Sequence, residues 1–179
     1  MLIKTRSKNY LRTLSLFTAI AVSLCGCYHI SRGGSSTASK SLTTVAVPLF
    51  KNTTEMMGIE VTATESFIRK LDYYGAKKVE SVENARSIIE GVITGYNLNS
   101  VADDQRHKVT ELRLSLTIEI TVRDTSGNEV VFKKDAYTDS YDFKVPRDSV
   151  TRKREVKRAE SLLCDQIASS LLTEIYEGI

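Results

Sequence analysis

The residue with the clearest chemical role in this chain is a thiol. Leu24-Cys25-Gly26-Cys27 closes an apolar run that follows a basic N-terminus. A cysteine preceded by glycine, with leucine three positions back, has the pattern of a lipobox, in which the sulfur becomes a diacylglyceryl thioether and the chain is cut ahead of it. The upstream segment has the three parts of a secretory signal: Lys4, Arg6, Lys8 and Arg12, then the apolar stretch Leu11 to Leu24, then the small residue Gly26. That stretch of about 14 residues falls short of the about 20 helical residues needed to cross a bilayer core. An ordinary signal peptide cut nearby and a short anchor helix are the competing readings. On the lipobox reading, residues 1–26 are a lipoprotein signal peptide and Cys27 is the lipidated N-terminus. Its two or three acyl chains, at about 0.8 kcal/mol per buried CH₂, make a stable anchor. Tyr28 follows Cys27 where an Asp would resemble an inner-membrane retention signal, so the expected address is the outer membrane, lipid-anchored at its periplasmic face.

The remaining reactive side chains are sparse. His29 and His107 are the only histidines, too few for a His-based triad or a metal cluster. Asp103-Asp104 with His107 reads as a solvated acidic loop. No G-x-S-x-G, P-loop or G-x-G-x-x-G spacing occurs. The expectation is no catalytic residue, no metal, no cofactor and no enzyme. Cys25 leaves with the signal, Cys27 is consumed, and Cys164 falls on a helical apolar stripe. An internal disulfide is therefore excluded, and Cys164 reads as a small core residue.

Charge follows the same cut. The chain has 25 Lys and Arg against 22 Asp and Glu; removing the four basic residues of the signal leaves 21 against 22, a net charge of about −1. Nucleic acid is not an expected partner, because phosphate-backbone recognition needs a cationic surplus on one face. Two local clusters remain. Arg147, Arg152, Lys153, Arg154, Lys157 and Arg158 crowd the start of the last helix, and Arg106, His107 and Lys108 lie in a loop. Lys and Arg bind phosphate through charge-assisted hydrogen bonds, so Arg106, Lys108, Lys153 and Lys157 are the candidate ligands for glycolipid phosphates.

Residues 27–42 contain Ser31-Arg32-Gly33-Gly34-Ser35-Ser36 and read as a flexible tether. Residues 43–179 form a single α+β domain. Thr43 to Phe50 is expected as a strand whose Pro48 pushes it to a sheet edge or ends its pairing. Met56, Ile59, Ala63, Phe67, Leu71 and Tyr74 give a helix capped near Asn52-Thr53-Thr54-Glu55 and stopped by Gly75. A short strand over Ala76 to Val82 and a turn at Glu83-Asn84-Ala85 follow. Ser87 to Leu98 reads as an interior strand, its Gly91 and Gly95 marking close packing or a bulge. Asn99 to Lys108 reads as a loop. Leu112, Leu114, Leu116, Ile118, Ile120 and Val122 alternate with polar residues, the period of a half-buried strand. A turn at Asp124 to Asn128, with Gly127 supplying the positive φ, returns the chain along Glu129 to Phe143. Val156, Ala159, Leu163, Ile167, Leu171 and Ile175 stripe a last helix over Thr151 to Tyr176. The expected fold is two helices packed on one face of a mixed, mainly antiparallel four- to five-stranded sheet, with the other face open.

Cys27-Tyr28-His29, Val45-Ala46-Val47-Pro48-Leu49-Phe50-Lys51-Asn52-Thr53-Thr54, Ile89-Glu90-Gly91-Val92-Ile93-Thr94 and the stretch Thr110 to Phe132 resemble the lipopolysaccharide-assembly lipoprotein family, LptE. The resemblance implies an outer-membrane lipoprotein that plugs and helps assemble the β-barrel LptD and takes part in delivering lipopolysaccharide to the cell surface. The alternative is a structural or secretion-scaffold lipoprotein, an oligomeric pore subunit or periplasmic adaptor, that does not bind lipopolysaccharide.

Overall fold

The computed structural model describes residues 44–78, 81–103, 109–146 and 148–177. The chain divides into two units, Met1–Gly34 and Ser35–Ile179, and all described residues belong to the second. Cys27, Arg106 and Lys108 lie outside the described residues, as do the signal and the tether.

Among the described residues eight strands and α-helices follow one another: β1 (Thr44–Ala46), β2 (Lys51–Asn52), α1 (Ile59–Tyr73), β3 (Lys77–Lys78), β4 (Ser87–Asp103), β5 (Val109–Asp124), β6 (Glu129–Lys144) and α2 (Ser149–Glu177). The sheet runs β3-β1-β4-β5-β6, and β2 also pairs with β4. The pairings β3–β1, β1–β4 and β2–β4 are parallel, while β4–β5 and β5–β6 are antiparallel. The α+β class with a mixed sheet is as the hydrophobic patterns predict.

Several local expectations differ from what forms. The first strand ends at Ala46, because Pro48 carries no N–H for the ladder, and pairing resumes only at Lys51. Instead of lying at an edge, β1 sits between β3 and β4. The segment between them turns Phe50 inward over Gly91, where a Cβ would stand 2.5 Å from the Phe50 ring. The first helix begins at Ile59 behind Gly58, which has φ 89° and no side-chain cap. Asn52 instead organises the approach: its Oδ1 accepts from Thr54 N at 2.9 Å and its Nδ2 donates to Met56 O at 2.8 Å. The helix does stop at Gly75 (φ 73°), where Ala76 N donates to Leu71 O and Gly75 N to Asp72 O, the paired bonds of a Schellman ending.

The strand expected over Ala76 to Val82 is only Lys77–Lys78 among the described residues, and Val82–Asn84 is a 3₁₀ turn. Of the loop expected over Asn99 to Lys108, the described residues are strand: β4 continues to Asp103 because β5 keeps pairing with it, Ala102 opposite Glu111. In the β5–β6 turn the positive φ falls on Asn128 (51°) and not on Gly127. Asn tolerates the left-handed region, which relieves Gly127 of that duty.

Both helices cover the face of the sheet that carries Ile89, Ile93, Leu114, Leu116, Ile118, Ile120 and Val122, all at most 1% exposed. α1 contributes Ile59, Phe67 and Leu71, and α2 contributes Leu163, Cys164, Ile167 and Leu171 to the same cluster. Phe50 meets Phe67 edge-on, with ring centroids 5.0 Å apart. Burial pushes the Cys164 thiol up to about 12, with Glu160 adding to the effect. It is a packed and unreactive side chain.

Candidate functional site

Chemistry accumulates at the end of the domain where α2 starts. One irregularity in β4 prepares it. Ile93 faces Ile118 and Gly95 faces Thr117, so Thr94 is an extra residue. Such a bulge reverses the alternation beyond it. Tyr96 consequently points to the helix side, where its hydroxyl donates to Glu160 Oε1 at 2.9 Å. Glu160 is 1% exposed, and its Oε2 is 2.7 Å from Lys157 Nζ. A carboxylate so deeply buried needs a cation and a donor to remain charged. Lys157 and Tyr96 supply them from two different elements. The Tyr96 hydroxyl is driven well above its ordinary value by burial first and by the Glu160 charge second, and so stays a donor.

A second polar group lies across from this one. Glu60 accepts from Gly58 N at 3.0 Å and from Asn52 Nδ2 at 2.8 Å. Hydrogen bonds from its own N–H and from Asn52, with lesser contributions from Gly58 and the Lys157 charge, hold its carboxyl below the ordinary value. Lys157 thus serves acids on both helices.

The rest of the basic cluster is solvated. Arg152, Lys153, Arg154 and Arg158 are exposed, arranged on the first turns of α2 against the helix dipole. Asp148 compensates as the N-cap, accepting from Thr151 N at 2.8 Å and Thr151 Oγ1 at 2.7 Å, bonds that hold its pKa low. Arg158 lines a hollow of about 310 Å³ with Lys144, Glu155 and Leu162.

Of the candidate phosphate ligands, Lys153 stands in solvent and Lys157 is engaged with Glu160. Arg106 and Lys108 lie outside the described residues, yet their flanks are placed. Thr110 Oγ1 donates to Ala102 O at 3.0 Å and Val145 N to Thr110 O at 2.9 Å, so the strand ends that bound residues 104–108 adjoin the segment leading into α2. The Tyr96–Glu160 pair escaped the sequence reading. Its signal was an acid among the apolar stripe of α2, three residues before Leu163 and four after Val156.

The open face of the sheet carries cross-strand polar pairs beside Val92 and Val130. Arg113 holds Asp142 with two 2.7 Å bonds, Thr117 and Thr138 share a hydrogen bond of 2.9 Å, and Arg123 approaches Glu90 at 3.7 Å. No helix among the described residues is long and apolar enough to cross a membrane.

The domain thus has two layers, one sheet face left uncovered by the helices, and a cluster of exposed basic residues at the start of α2. A family model described as lipopolysaccharide-assembly, LptE, matches residues 42–176, and the chain belongs to that family. It is accordingly a lipopolysaccharide-assembly lipoprotein of the outer membrane, in a family that is not catalytic. The fold is shared with rare lipoprotein B from Shewanella oneidensis, at 15% identity and TM-score 0.51, over 74% of this chain and 92% of that one. It is shared also with lipoprotein B from Nitrosomonas europaea, at 12% identity and TM-score 0.53, over 75% and 83% of the two chains. No curated protein sequence matches the chain.

Proposed function

We propose that this protein, anchored through a lipidated Cys27 at the periplasmic face of the outer membrane, plugs the LptD β-barrel, aids its assembly and helps deliver lipopolysaccharide to the cell surface. The observation that carries the reading is the bare face of β4–β6. Strands of 16 to 17 residues extend about 50 Å at 3.3 Å per residue. Their outward side chains include the pairs Arg113–Asp142, Thr117–Thr138 and Arg123–Glu90, a largely polar surface suited to the polar lumen of a large barrel. The cationic end supplies the ligand side of the function. Arg106, Lys108, Lys153 and Lys157 are proposed to meet glycolipid phosphates, with Arg154 and Arg158 adjoining them.

Affinity purification of the tagged lipoprotein from membranes tests the plug. Co-purification of a large β-barrel is expected; a self-oligomer would instead favour a pore subunit, and neither would favour a periplasmic adaptor. Cys27→Ala is expected to abolish incorporation of labelled palmitate and release the protein from the membrane. Changing Arg106, Lys108, Lys153 and Lys157 together to Ala is expected to weaken lipopolysaccharide binding. Unchanged binding would remove those residues from the reading. A thermal melt must accompany that variant, because Lys157 also neutralises Glu160.

A further inference from the structure

The opposite end of the domain holds a second surface. β1 begins there at Thr44, which pairs with Lys77 of β3, and Arg86 N donates to Thr44 O at 3.0 Å. α1 ends there too, and its Tyr73 is 86% exposed. Tyr73 lines a hollow of about 450 Å³ with Lys70, Tyr74 and the Arg69–Asp165 ion pair. Lys70 makes no ion pair among the described residues, and Arg86 is exposed. The Tyr73 ring meets Tyr74 edge-on, with centroids 5.6 Å apart, and presents the rest of its surface to solvent beside basic residues.

We infer that this corner, centred on Tyr73 and Lys70, docks on the phospholipid headgroup layer of the membrane that holds the N-terminus. The inference rests on the Cys27 anchor proposed above. The position of Thr44 relative to the anchor selects this occupant. Residues 28–43, sixteen residues, separate Cys27 from Thr44, and a linker of that composition reaches about 20–24 Å. The corner next to Thr44 is therefore the part of the domain delivered to the bilayer surface. Tethering at such lengths gives effective concentrations of order millimolar, so a contact of weak intrinsic affinity is occupied. Tyrosine suits the interface, with an apolar ring and a hydroxyl that stays wet. Asp72, Glu83 and Glu177 temper the local charge, so the ring contributes more than the cations.

The chain contains no tryptophan, which permits a direct test. In the mature chain, residues 27–179 with Cys27→Ala, Tyr73→Trp places one indole at the corner and Leu49→Trp places one on the open sheet face, where Leu49 is 63% exposed. Each is titrated with vesicles of phosphatidylglycerol and phosphatidylcholine. A blue shift of the emission is expected for Tyr73→Trp and none for Leu49→Trp. Adding Lys70→Glu to Tyr73→Trp is expected to raise the half-saturating concentration of anionic lipid at least about fivefold, the factor worth the loss of one basic residue near such a surface. No shift at the corner, an equal shift at both positions, or indifference to Lys70→Glu would each overturn the inference. Palmitate incorporation separates the two readings. Its loss removes the anchor and leaves the vesicle result standing, whereas silent vesicles with incorporation intact remove the corner alone.

Discussion

At the end where β1 begins, Tyr74 stacks on Tyr176 with ring centroids 4.7 Å apart and shares a 2.7 Å hydrogen bond with Thr173. At the end where α2 begins, Glu160 is buried against Tyr96 and Lys157, with Glu60 bound to Asn52 close by. Both sets of contacts fasten α2 to the rest of the fold. The first does so with rings and a hydroxyl pair, whose contribution changes little with pH or salt. The second does so around one carboxylate taken out of water, Glu160, which holds only while its partners are present. The difference assigns the two ends different tolerances: the aromatic end yields by degrees, and the charged end yields as a unit.

The largest expected effect comes from breaking that unit. Lys157→Met leaves the Glu160 carboxylate buried without a cation, at a cost of about 2–3 kcal/mol, below the full range for buried pairs because Lys157 itself is 62% exposed. Tyr96→Phe removes one donor and costs about 1.5–2 kcal/mol. Combining Tyr96→Phe with Glu160→Met in one chain is expected to recover much of the loss, since no polar group is then stranded. Urea midpoints of the single and combined variants measure it. Simple additivity would show that the three residues act separately. At the other end, Tyr74→Ala removes a half-buried ring and its stacking partner's contact, for about 2 kcal/mol, and no second substitution rescues it. If Tyr74→Ala proved the more damaging of the two ends, the contrast drawn here would be reversed.

Most of the architecture was legible before any coordinates. Leu112 to Val122 alternates with period two and α2 carries a stripe of period about 3.6, and both patterns follow directly from which side chains must leave water. What was not legible depends on pairing. Asn99, Ser100 and Asp103 look like a loop, and they are strand because β5 runs alongside. The bulge at Thr94 has no signature of its own beyond the neighbouring glycine, yet it turns Tyr96 toward Glu160. Of the candidate ligands, Lys153 and Lys157 could be named from charge alone. That Lys157 is committed to an internal acid, and that the flanks of Arg106 and Lys108 adjoin the start of α2, are facts of topology that a one-dimensional reading does not contain.

The smallest expected effect sharpens the comparison through pH. Glu60 titrates below its ordinary value in the folded protein because its own N–H, Asn52 and Gly58 bind the charged form. A group with a lowered folded pKa stabilises the fold fully above its unfolded pKa, about 4.3–4.5, and loses that contribution as pH falls through the lower folded value. The stabilisation is therefore present at neutral pH and disappears in the acid range. Glu60→Gln removes the titration while keeping a side chain of similar shape. The wild type is expected to have the higher urea midpoint at about pH 7, with the gap closing toward about pH 3. Tyr74→Ala, which involves no carboxylate, should instead show a gap that does not vary over the same range. A pH-independent gap for Glu60→Gln would mean that Asn52 and Gly58 bind the carboxyl equally well in both protonation states, and the charged character ascribed to that end would then reside in Glu160 and Lys157 alone.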